Sequence, residues 1–166
     1  MRDVASFAER LAPDTIIRLE RAAQHRYESG NILWKEKRRL AALYLYGYTA
    51  EICLTAAYFR SAGFSRIALI DRETRNRRMA QARQMNLMPS DPHPILGWAR
   101  FLEHQRLAGY LSDQDRQMLR EAVNKAAFIY SYWRPELRYK VVDIGDELTD
   151  KVQKAAKWLL DNQSKL

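Results

Sequence analysis

The fourteen residues YLYGYTAEICLTAA, Tyr44 to Ala57, constrain this chain more than any other stretch. A strongly helical apolar run is interrupted there by one glycine, Gly47, and one carboxylate, Glu51. Glycine costs about 1 kcal/mol relative to alanine inside a helix, and a carboxylate is expensive to bury unless it is paired. Gly47 therefore predicts a place where another part of the chain comes close to the helix backbone. Glu51 lies one turn later on the same side, with Tyr48, Leu54 and Thr55 at i−3, i+3 and i+4, and predicts a cation within reach.

The rest of the chain reads as all-α. The six glycines and five prolines fall mostly where helices should end. Residues 14–28 place Ile16, Leu19, Ala23 and Tyr27 on one face, and Ser29, Gly30 and Asn31 predict the end of that helix. A second helix is expected from about Leu33 to Arg60, stopping at Gly63, with Leu40, Leu43, Gly47, Ala50, Leu54 and Ala57 as its packing seam. The mixed stretch 66–84 has a short apolar patch followed by DRETRNRRMAQAR, a polar helix. Ser90, Asp91 and Pro92 predict a cap for a helix over 93–107 that ends at Gly109. Ser112 and Asp115 form a capping-box pattern opening a helix through Tyr130. After a break at 132–135, the last helix is expected over 145–162, with Leu148, Val152, Ala155, Ala156 and Leu159 inward. Five or six helices with short connections predict a single-domain bundle spanning 1–166.

Composition bounds the setting. The lone cysteine, Cys53, lies in the apolar run, which leaves no disulfide framework and no cysteine metal site. The N-terminus alternates charged and apolar residues instead of forming a signal peptide, and no stretch reads as a membrane span. A soluble, cytoplasmic protein is the expectation. The net charge of +8 favours an anionic partner, and twenty arginines against eight lysines suit phosphate or carboxylate recognition.

Two further segments carry candidate chemistry. In WRPELRYK, Trp133 to Lys140, Pro135 sets a turn that presents Arg134, Arg138 and Lys140 from non-helical backbone. A Glu51–Arg138 pair is the expected clasp, with Gly47 giving room for it. The second segment is basic: Arg66, Arg72, Arg75, Arg77, Arg78 and Arg83 oppose only Asp71 and Glu73. Arg72, Arg75, Arg77, Arg78 and Arg83, with Lys140, are the candidate nucleic-acid contacts, the alternative being a solvated helix with internal ion pairs. Trp98 and Trp158 fit apolar helix faces. His93 stands between two prolines at a helix start, where an N-terminal contact is expected, and His104 should face water. Three scattered histidines without clustered carboxylates predict no metal site, and no cofactor-binding loop is present.

The pattern Tyr44-x-x-Gly47-Tyr48-x-x-Glu51-x-x-Leu54-x-Ala56, the helix with His93 and Trp98, and Trp133 to Tyr139 before a last amphipathic helix together resemble HEPN-domain proteins over about 33–160. Thr55 stands where many relatives have lysine. The resemblance implies a HEPN-like helical bundle, a homodimer, and a role in RNA-cleaving toxins, phage defence or toxin–antitoxin pairs with a nucleotidyltransferase partner. Catalytic members carry Arg, four to six residues, then His late in the domain. This chain has no histidine after Trp133, and its one formal match, Arg18 with His25, is of the kind short patterns produce by chance.

The leading expectation is thus an RNA- or nucleotide-associated binding and assembly protein. A metal-independent ribonuclease with a divergent site is a second reading, with Glu51, Arg134, Arg138 and Tyr139 as catalytic candidates and Glu136 and Lys140 beside them. A third is an adaptor whose basic face meets an acidic protein.

Overall fold

The structure, a computed structural model, describes residues 14–91, 93–141 and 143–166, and at position 138 the backbone alone. Six helices are present among these residues: α1 (Ile16–Lys35), α2 (Arg39–Ser61), α3 (Arg72–Gln84), α4 (Ile95–Leu107), α5 (Asp113–Tyr132) and α6 (Asp146–Asn162). A 3₁₀ turn, Pro135–Tyr139, links the last two, and the pair β1 (Asp14–Thr15) and β2 (Leu69–Ile70) is antiparallel, with Asp14 opposite Ile70. The all-α helical bundle is as expected.

Helix α2 is the axis of the bundle, and α1, α4 and α6 pack directly on it. The seam Leu43, Gly47, Ala50, Leu54 and Ala57 is buried, and from Cys53 to Phe59 every residue is buried whichever way it points. By length and apolarity α2 also meets the criterion for a membrane-crossing helix, contrary to the sequence reading, but 67% of its apolar window is buried inside the protein. Its apolar surface is thus used for packing, which is the ordinary driving force for a core helix.

Two boundaries differ from expectation. Helix α1 runs through Ser29, Gly30 and Asn31 to Lys35, because these residues make packing contacts and do not form a stop. A Cβ at Gly30 would lie 2.6 Å from the Tyr46 ring, and Asn31 Oδ1 accepts a 2.8 Å hydrogen bond from the Tyr46 hydroxyl. The chain reverses instead at 36–38, where Lys37 takes a left-handed φ of 59°, and α2 begins at Arg39, later than the expected 33.

The capping box of α5 forms as read: Asp115 N–H donates to Ser112 Oγ and Ser112 N–H donates to Asp115. In α6 the inward set is Thr149, Val152, Ala155, Ala156, Leu159 and Leu160, with Leu148 half-buried at its edge.

Helix α3 differs from the others. It opens at Asp71, whose side chain accepts from Thr74 N–H at 2.7 Å, a strong N-cap. That bond holds the Asp71 carboxyl below its usual range. Only Met79 and Ala82 are buried on α3, and it packs on the other helices far more sparsely than they pack on one another. Long side chains dock it to the body.

Candidate nucleic-acid interface and the carboxylate cluster beneath it

Glu51 is buried, at 2% exposure, and its two oxygens are separately engaged. Arg75 Nη2 donates to Oε1 at 2.7 Å, and His93 Nδ1 lies 3.0 Å from Oε2. The carboxylate does want a cation, but among the described residues that cation comes from α3, 24 positions along the chain. The side chain of Arg138, the expected partner, lies outside the described residues; among those described, Arg75 and His93 engage the carboxylate. The Glu51 hydrogen bond is the main influence raising the His93 pKa above its ordinary value; burial opposes it, and the repelling Arg75 charge opposes it further.

His93 is held from its backbone as well. Its N–H donates to Asp91 Oδ1 at 2.9 Å, while Asp91 Oδ2 accepts the Tyr130 hydroxyl at 3.1 Å. Asp91 of the predicted cap thus holds the histidine backbone, Pro92 lies outside the described residues, and α4 starts at Ile95 with no side-chain cap. Arg83 fixes the same loop by donating to the carbonyls of Pro89, Ser90 and Asp91 at 3.2 to 3.5 Å. Glu51, Asp91 and Tyr130 thus tie α2, the 85–94 loop and α5 together, and Arg75 and Arg83 add α3.

Gly47 admits a close approach by the WRPELRYK segment, but the group that arrives is the Trp133 indole. A Cβ at Gly47 would stand 2.1 Å from Trp133 Cδ1, and Trp133 Nε1 donates to the Tyr44 carbonyl at 2.9 Å. Trp133 is fully buried, with Tyr48 edge-on at 5.2 Å and His93 edge-on at 6.1 Å between centroids. Arg134 follows it out of the helix, its guanidinium carbon 3.8 Å from the Tyr130 ring centroid. It donates to the Tyr130 and Trp133 carbonyls and so caps the C-terminal end of α5. Glu136, Tyr139 and Lys140 are exposed beyond it.

The basic segment divides into two sets. Arg66 pairs with Glu20 at 2.6 Å, Arg75 pairs with Glu51, and Arg83 is engaged by loop carbonyls. Arg72, Arg77 and Arg78 form no ion pair with any described carboxylate. Arg77 donates to Thr74 Oγ1 at 3.4 Å and Arg78 to Gln81 Oε1 at 3.1 Å, neutral partners that orient a guanidinium without cancelling its charge. With Phe64 these four residues line a groove of about 410 Å³, and Arg78 stands 5.8 Å from the Phe64 ring centroid.

Among the predicted contacts, Arg72 and Arg77 are exposed and Arg78 is half-buried, while Arg75 and Arg83 reach the body and Lys140 sits past the 3₁₀ turn. Trp98 is fully buried and Trp158 half-buried. His104 is exposed, as are Arg18 and His25 on α1. The sequence reading places His93 at a helix start without pairing it to Glu51, and does not include Phe64. Proline on both sides of His93 was the local signal for the first; for Phe64 it was the position just after Gly63, whose φ of +84° turns the chain out of α2.

Among the described residues no group of three or more His, Cys, Asp or Glu side chains is placed to hold a metal ion. Compared with known proteins, the chain matches no family model, no curated protein and no solved structure.

Proposed function

We propose that this helical bundle is an RNA-associated binding and assembly protein of the HEPN-like kind, gripping phosphates with arginines of α3. One observation carries the reading: on a chain of net charge +8, Arg72, Arg77 and Arg78 of one helix have no ion-pair partner among the described residues. Arginines not held in an ion pair keep most of their attraction for a polyanion, and binding then releases the polyanion's counterions. The Glu51 cluster supports the same reading, because it anchors a helix that has almost no apolar face of its own.

Assembly as a homodimer belongs to this reading. Phe128, Tyr132 and Leu148 line an open groove between α5 and α6, and Tyr132 is 47% exposed. Light scattering at micromolar concentration tests this part: a dimer is expected, and a monomer removes it.

The RNA reading is tested by fluorescence anisotropy with a labelled oligoribonucleotide in EDTA. Affinity is expected to fall steeply with salt and to drop in Arg77→Ala and Arg78→Ala. Absent or salt-insensitive binding would leave the basic face to an acidic protein partner. The same mixtures run on a gel report cleavage. The ribonuclease alternative is favoured by one specific feature, the buried Glu51 that orients His93 through Nδ1, as a general base is oriented. Cleavage lost in His93→Ala would establish that alternative.

A further inference from the structure

The groove beside α3 has features that phosphate binding alone does not require. An aromatic ring, two guanidinium groups, an amide and a hydroxyl converge there: Phe64, Arg77, Arg78, Gln81 and Thr74. Its volume of about 410 Å³ falls within the roughly 300–1,000 Å³ of small-ligand sites. The ring is held in place, since Phe64 meets Phe59 edge-on at 5.1 Å between centroids, and Phe59 is fully buried.

We infer that this groove is a nucleotide subsite for single-stranded RNA, taking one unstacked base against Phe64 and the adjoining phosphate on Arg77 and Arg78. The inference rests on the RNA-binding reading above and sharpens it to a substrate class. In a duplex the base faces are covered by their neighbours, so Phe64 has nothing to stack on and only the arginines act. In a single strand a base splays out, and base–aromatic contact adds to the electrostatic grip. Gln81 and Thr74, each already hydrogen-bonded to a guanidinium, supply polar groups beside the ring. The arginines are therefore held ready for phosphate, and the amide lies within the same groove as the base.

The test is anisotropy with a labelled 12-nucleotide RNA, single-stranded or as a blunt duplex of the same sequence. The wild type is expected to bind the single strand about tenfold more tightly. Phe64→Leu keeps the packing against Phe59 and should erase that preference, while Phe64→Trp should retain it. Gln81→Ala, at an exposed position, should weaken single-strand binding more than duplex binding and so narrow the preference, and it decides the matter if Phe64→Leu melts early. Equal binding of the two forms, or a preference that survives both Phe64→Leu and Gln81→Ala, overturns the inference while the RNA reading stands. No salt-dependent binding to either form overturns both.

Discussion

Arg75 and Arg77 lie two positions apart on one short helix, and their surroundings are opposite. Arg75 points along the stripe of Met79 and Ala82, the only buried residues of α3, and ends on a carboxylate that is 2% exposed. Arg77 is exposed and its hydrogen bond goes to a threonine hydroxyl. The same side chain is a structural strut in one place and an available charge in the other. The difference comes from the helical period: a residue at i−4 and i−7 from buried apolar positions is carried inward with them. In a helix so polar, a composition-based reading takes all its arginines together, whereas the stripe separates them.

That contrast can be broken most forcefully at Glu51. Replacing it with alanine leaves Arg75 and His93 facing each other without their shared anion. Removing one partner of a buried pair costs about 3–5 kcal/mol. Since Arg75 and His93 are each about one-third exposed, the lower end applies, and calorimetry should show melting earlier by roughly 6–12 °C.

Gly47→Ala comes next. Its Cβ would overlap the Trp133 indole, and overpacking of up to about 3 kcal/mol exceeds the roughly 1 kcal/mol gained in helix propensity. Melting temperature should fall by a few degrees, and tryptophan fluorescence should shift red as Trp133 leaves its buried site. An unchanged spectrum would show that Trp133 does not need the glycine.

A smaller effect is expected from pH. His93 has a raised pKa in the folded protein, chiefly through its hydrogen bond to Glu51. Its contribution to stability is therefore fully present below the unfolded value of about 6.5 and is lost as pH rises through the folded value. The charges facing it are Glu51, Asp91 and Arg75, and of these Arg75 alone lowers the pKa. Melting temperature should decline as pH rises from 6 into the range where the folded His93 titrates, and His93→Gln should flatten that decline. A slope identical in the two proteins would assign the pH dependence to other groups.

The smallest effect on stability belongs to Arg77→Ala, a surface change that should stay within about 0.5 kcal/mol. A larger loss would show that the outer side of α3 also holds the fold together.

Much of the fold was legible in the sequence, because the α2 seam, the Ser112 capping box and the α6 face are local patterns of period or spacing. The ends of α1 were not. Ser29-Gly30-Asn31 has the composition of a stop, and only the distant Tyr46, which packs on Gly30 and hydrogen-bonds to Asn31, shows why the helix continues. At the site, Gly47 and Glu51 could each be recognised as residues needing a partner. The partners could not be identified, since Trp133, His93 and Arg75 are brought together by the tertiary fold across 86, 42 and 24 positions. The side chain of Arg138, the cation expected from the sequence, lies outside the described residues.

The division of α3 into a buried strut and an open grip is tested most directly by the salt dependence of RNA binding in Arg75→Ala and Arg77→Ala. Each phosphate contact on a single strand adds about 0.7 to the slope of log K against log salt. Arg77→Ala should flatten the slope by about that amount, 0.7, while Arg75→Ala, measured well below its melting temperature, should keep the wild-type slope. The reverse result, with the slope flattened by loss of Arg75 and untouched by loss of Arg77, would contradict the account.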